Sequence, residues 1–142
     1  MAEKGCECES TNVLLFPCSG ASNVGQIANA AAVVLTCQGR GKMYCLAGIG
    51  AHISGMVDSA AHADGCIAID GCAVACVSKA LKHAGIHLTK EVIVTELGIR
   101  KTHEYEWTEH EVRQVMEAAA EGVFAAGASG ESSCGCGCGC AS

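Results

Sequence analysis

Asn12-Val13-Leu14-Leu15-Phe16-Pro17, followed by Cys18-Ser19-Gly20-Ala21-Ser22-Asn23, is the stretch from which the fold can be read. A short apolar run ended by proline predicts a buried strand, and the small residues after it predict a loop. Asn23, with Gln26 three residues on, offers a cap and a capping-box partner. From Val24 onward, Ile27, Ala28, Ala31, Ala32 and Leu35 recur at helical spacing until Gly39 supplies a stop. Strand, loop and helix in that order form the first half of a parallel β-α-β unit.

The same grammar repeats downstream. Met43–Ala47 predicts a second strand carrying Cys45, and Ile53, Met56, Val57 and Ala60 fit one face of a second helix. Cys66–Ile69, ending at Asp70-Gly71, predicts a third strand. A helix over 73–84 follows, with Val74, Val77 and Leu81 on one face and Gly85 as its stop. Glu91–Leu97 predicts another strand. Thr108 and Glu111 form a capping box that opens a last helix with Val112, Val115, Met116 and Ala119 inside. Strand-helix alternation of this kind predicts a single α/β domain over 11–126, a mostly parallel, Rossmann-like sheet flanked by helices. Residues 1–10 and the Gly/Cys-rich stretch 127–142 lack the apolar area to join it and are expected to be mobile or disordered.

At 142 residues the chain is long enough for one real core, and with 50 % apolar but only 4 % aromatic residues that core must be aliphatic. A net charge of -6 with only nine Lys and Arg argues against nucleic acid as a partner. No apolar run reaches the ~18 residues of a membrane span, and the polar, acidic start does not read as a secretory signal. The expected location is therefore cytoplasmic. There, twelve cysteines point to metal ligation or thiol chemistry rather than to disulfides.

Several signatures fail. The loop after the first strand lacks the Gly-Lys-Ser/Thr ending of a Walker A loop, Val24 stands where a cysteine phosphatase needs arginine, and no Cys-x-x-Cys occurs. Cys72-x-x-x-Cys76 remains. Read as helical, residues four apart share a face, and a helix N-terminus favours the thiolate that binds metal. With Cys18 and Cys45 these sulfurs make the four-thiolate set of a tetrahedral zinc site. Buried cysteines also serve as small apolar residues, and Cys37 and Cys66 are assigned to that role. Position at strand-to-helix turns favours ligation for Cys18, Cys72 and Cys76, and leaves Cys45 open. Parallel α/β sheets gather their sites at the carboxyl ends of strands, which would bring these loops to one edge.

Three blocks, Cys18-Ser-Gly-Ala-Ser-Asn-Val-Gly-Gln-Ile-Ala-Asn29, Met43-Tyr-Cys-Leu-Ala-Gly-Ile-Gly50 and Ile69-Asp-Gly-Cys72-x-x-x-Cys76, resemble the zinc-binding family named for its central Asp-Gly-Cys motif, the DGC domain. The resemblance runs from about Val13 to Leu97. It implies zinc held by Cys18, Cys45, Cys72 and Cys76 and names no activity. A thiol redox or sulfur- or metal-transfer protein using the same cysteines, and an iron-sulfur protein, are the alternatives.

Other groups are assigned by position. Asp70 is expected to accept backbone N–H bonds and fix its turn. The six histidines form no ligand-spaced pair, and His52, soon after the Cys45 block, is the first to test. Cys134, Cys136, Cys138 and Cys140 alternate with glycine, so this tail can wrap a soft ion as a second metal site, with Cys6 and Cys8 open to the same chemistry.

Overall fold

The computed structural model describes residues 11–123. Nine regular elements follow one another: β1 (Val13–Pro17), α1 (Asn23–Cys37), β2 (Lys42–Met43), α2 (Leu46–Gly50), α3 (Ser54–Ala61), β3 (Gly65–Asp70), α4 (Cys76–His83), β4 (Lys90–Ile93) and α5 (Glu109–Ala120). A 3-10 turn, Val94–Leu97, extends β4. The four strands form one all-parallel sheet in the order β2-β1-β3-β4, flanked by the five helices, so the α/β architecture expected from the sequence is the one observed. The expected mobile segments, the Gly/Cys tail among them, lie outside the described residues.

Alternation along the strands divides the core. Val13 and Leu15 of β1 join Ile67 and Ile69 of β3 beneath α1 and α5, where Val24, Ile27, Leu35 and Val115 are also buried. Leu14, Phe16, Cys66 and Ala68 point to the other face and meet Ile49, Val77 and Leu81 of α2 and α4. A strand buried on both faces must be apolar throughout, and all five residues of β1 and all six of β3 are buried. From β1 the chain steps out to β2 through α1, then crosses back to β3 on the other side of β1. The strand order thus reverses between β1 and β3, the kind of point beyond which open α/β sheets gather their sites.

Several boundaries move from their expected positions. Ser22, rather than Asn23, caps α1, its hydroxyl accepting from the Gly25 N–H at 3.3 Å. The second strand is only Lys42–Met43, because Leu46 begins a short helix. The single second helix is two, and Ile53, expected inside, is 52 % exposed at the start of α3. The third-strand helix begins at Cys76, not at 73. Ala75 sits in the left-handed region (φ 53°, ψ 48°) and breaks the helix before it, leaving Val74 56 % exposed. The strand predicted to reach Leu97 ends at Ile93. The Thr108/Glu111 capping box forms as expected.

Two contacts position the loops at the carboxyl edge. The Asp70 carboxylate, 1 % exposed, accepts from the Val77 N–H (2.7 Å), the Ser78 N–H (3.1 Å) and the Ser78 hydroxyl (2.6 Å). It therefore satisfies the first amides of α4, which have no partner within the helix. This fulfils the expectation that Asp70 accepts backbone N–H bonds, although the donors lie on the helix rather than in the Asp-Gly turn. The next residue, Gly71, packs on the start of α1 so closely that a Cβ there would lie 3.0 Å from the Gly25 nitrogen. A side chain at Gly25 would in turn meet the Gly20 nitrogen and oxygen at 2.8 Å. Glycine at 25 and 71 lets the loops after β1 and β3 touch backbone to backbone.

Replacing Asp70→Ala removes the acceptor for three donors in a dry environment. The expected loss is about 2–4 kcal/mol of folding stability by urea titration, with protection of the Val77 and Ser78 amides lost in hydrogen exchange. Cys66, 2 % exposed, directs its thiol to the Ala60 carbonyl (3.4 Å), and burial pushes its pKa up. The folded state thus holds the protonated thiol. That contribution is complete below the ordinary thiol value of about 8.5 and is lost as pH rises towards the higher folded value. Timed iodoacetamide labelling at mildly alkaline pH should modify the exposed Cys45 and Cys76 well before Cys66.

Candidate metal and thiol site

The four sulfur-bearing positions Cys18, Cys45, Cys72 and Cys76 all lie in connections leaving the carboxyl ends of β1, β2 and β3. They divide into two pairs.

The first pair, Cys18 and Cys72, follows the adjacent strands β1 and β3, between which the strand order reverses. Cys18 prolongs the ladder, its N–H donating to the Ile69 carbonyl at 2.8 Å, and its Sγ accepts from the Gly20 N–H at 3.4 Å. Cys72 sits just past Asp70-Gly71 and is half-buried, like Cys18. It is not part of the helix, because the left-handed Ala75 separates it from Cys76. The shared helical face expected for Cys72 and Cys76 is therefore absent. The partial positive charge at the start of α4 also meets the Asp70 carboxylate.

What Cys72 has instead is an ammonium group. Lys101 Nζ donates to Cys72 Sγ at 3.5 Å. Lys101 comes from the connector between the 3-10 turn and α5, and Asn23 brings it there. The buried Asn23 amide donates to the Arg100 carbonyl (2.9 Å) and accepts from the Thr102 N–H (2.7 Å), while its backbone N–H donates to the Thr102 carbonyl (3.1 Å). His103 adds a contact between its Nδ1 and the Ala21 carbonyl at 3.2 Å. The sequence marks Asn23 only as a cap. Only its tertiary partners, 77 to 79 residues away, reveal the clamp. Gln26, expected as a capping-box partner, instead donates to the Ser19 and Gly20 carbonyls and holds the Cys18 loop.

The second pair is Cys45 and Cys76, both exposed and both lining a mainly apolar cleft of about 590 Å³ with Pro17, Tyr44, Leu46 and Ala80. Cys45 is the residue before α2 rather than a strand end, and Cys76 opens α4. An edge-to-face contact with Phe16 (centroids 5.6 Å, 71°) fixes Tyr44 beside them.

Four thiols at one edge have the donor chemistry of a soft-metal site, with hydrogen-bond donors already aimed at two of the sulfurs. Among the described residues, no three His, Cys, Asp or Glu side chains converge on one point. Of the cysteines assigned to packing, Cys66 is buried as expected. Cys37 is exposed at the last position of α1, where the apolar stripe has turned away from it. Cys6, Cys8, Cys134, Cys136, Cys138 and Cys140 lie outside the described residues. Among the described residues, no helix is long and apolar enough to cross a membrane.

No solved structure matches the chain. A curated relative, the anaerobic and virulence modulator AnvM of Pseudomonas aeruginosa, is 33 % identical over 90 residues, which cover 63 % of this chain and 69 % of the relative. The sequence profile of the DGC domain matches residues 14–119, a span that runs from β1 into α5 and holds all four of the edge cysteines. The chain belongs to the DGC domain family.

Proposed function

We propose that this protein binds a soft metal ion, zinc foremost, through Cys18, Cys45, Cys72 and Cys76, in the reducing cytoplasm. The observation that carries this reading is the gathering of all four cysteines at the carboxyl edge of the sheet, two of them beside the point where the strand order reverses. Zinc with four thiolates carries a net charge of about −2, and the Lys101 ammonium beside Cys72 and the Gly20 amide beside Cys18 are suited to offset it. When bound, the ion would crosslink the three strand-to-helix loops. The chain's own part is to present four sulfurs, hold Cys18 through the β1–β3 ladder, and hold Lys101 through Asn23. Because no three ligating side chains converge yet, loading requires the Cys45–Cys76 pair and the Cys18–Cys72 pair to close on each other.

A second reading has its own support. Cys45 and Cys76 are exposed and share an apolar cleft, the setting for a dithiol that cycles with a disulfide or hands on a sulfur or metal species. The name of the Pseudomonas relative, an anaerobic modulator, fits a role tied to oxygen supply. An iron-sulfur cluster on the same four cysteines is a third occupant.

Metal analysis of anaerobically purified protein, paired with thiol titration, separates the three. Zinc binding predicts colourless protein with one tightly held ion, whose release exposes four thiols. A brown chromophore would replace zinc by a cluster, and a metal-free protein whose thiol count changes with dithiothreitol would favour the redox reading. Deleting residues 131–142 should leave the tight ion in place, whereas Cys18→Ser or Cys72→Ser should remove it and lower thermal stability if the ion crosslinks the loops. The reverse pattern would move the binding site to the tail. Lys101→Met should weaken zinc affinity about 10- to 100-fold in a chelator competition while leaving the fold intact, since its ammonium contacts a ligand sulfur rather than the core.

A further inference from the structure

The sequence separates His52 and His83 by 31 positions, and nothing in their spacing marks them as partners. The fold brings them together. His52 follows α2, His83 is the last residue of α4, and their rings lie 5.1 Å apart between centroids at an interplanar angle of 68°. Both are exposed, so an ion from solvent reaches them directly.

Two further facts concern the same spot. His52 is one of only two non-glycine residues with positive φ among the described residues, at 53°, with its N–H donating to the Ile49 carbonyl at 3.0 Å. With the Ile53 N–H donating to the Gly48 carbonyl at 3.0 Å, this is the left-handed residue of a Schellman ending to α2, so the helix end itself sets the direction in which the His52 side chain leaves. The ring spacing is also meaningful. A ligating imidazole nitrogen sits about 2.0–2.1 Å from zinc and roughly 1.1 Å from its own ring centre, so two tetrahedral ligands place their ring centres about 5.2 Å apart. Terminal ring torsions are broad, so exposed rings can turn their nitrogens to a common point without backbone movement.

We propose that His52 and His83 form a second cation site, independent of the edge cysteines, for a borderline divalent ion such as zinc, with water completing the coordination. Imidazole suits Zn(II), Cu(II) and Ni(II), whereas the all-sulfur set favours softer ions, so the two sites differ in selectivity. The placement has a mechanical meaning. α2 packs on α4, with Cys45 at the start of one and Cys76 at the start of the other, while the histidines stand at the opposite ends. An ion held there ties together the two short helices whose beginnings form the cysteine cleft.

The test uses the full reduced chain labelled with ¹⁵N-histidine and titrated with Zn(II), and its readout is the shift of individual imidazole nitrogens. Those nitrogens report ligation by histidine whatever the cysteines hold, so failure here is distinct from failure of the thiolate site. His52→Asn, which tolerates the left-handed backbone, and His83→Gln both assign the resonances and remove one ligand. His110→Gln, on α5 and the other face of the sheet, is the control. The expected result is that His52 and His83 respond together with one midpoint in the micromolar range. Either replacement should weaken the other's response roughly tenfold or more, the scale at which even outer partners of a metal count. His110→Gln should leave it unchanged. The proposal is overturned if neither imidazole responds, if each responds regardless of the other, or if all six histidines shift with a common midpoint.

Discussion

A single buried carboxylate organises the edge at which Cys18, Cys45, Cys72 and Cys76 gather. Asp70 ends β3 in the middle of the sheet and reaches forward to the first amides of α4 and the Ser78 hydroxyl. A charge at 1 % exposure is tolerated because three donors surround it. In return it determines where α4 begins, and with it where Cys76 stands. It also leaves Gly71-Cys72 to bridge strand and helix as a turn. The glycines at 25 and 71 complete the constraint by letting that turn lie on the start of α1. Strand end, turn and two helix beginnings are thereby held at one corner, and Cys18 and Cys72 have little choice of position.

The two cysteine pairs differ in how they are held. Cys18 belongs to the sheet through its bond to Ile69, and Cys72 lies between Asp70 and the Lys101 ammonium. Both are half-buried and held by hydrogen bonds to other segments of the chain. Cys45 and Cys76 open short helices beside a cleft and are exposed. The edge therefore presents one pair of cysteines tied into the sheet and its connector and one pair open to solvent.

Much of the fold was legible because strands buried on both faces must be continuous apolar runs. Val13–Phe16 and Cys66–Ile69 announced themselves that way, and the alternation with helices left a parallel sheet as the natural arrangement. The errors share one origin, which is local backbone geometry without a residue-type signature. Alanine at 75 gives no hint of a left-handed conformation, yet it moves the helix start and takes Cys72 off the helical face. The Cys45 segment looked like a strand because Met43-Tyr44-Cys45 is apolar, but pairing with β1 lasts only two residues before α2 begins. The gathering of Cys18, Cys45, Cys72 and Cys76 at one edge followed from topology and could be read. Lys101 could not, since it depends on Asn23 acting as a clamp across 79 residues rather than as a cap.

That clamp has a consequence for the order in which the protein comes into being. Chains are made from the amino end, and each segment packs only after it has been synthesised. The strands and loops that carry the four edge cysteines are complete once α4 has been made, but the segment that seals Asn23 and delivers the ammonium beside Cys72 starts only at Arg100. During that interval Cys72 is present without the Lys101 ammonium, and the start of α1 is without its cover. The nascent domain therefore exists first as a set of open thiols and only later as a finished corner, so elongation through the connector sets how long that corner stays uncovered.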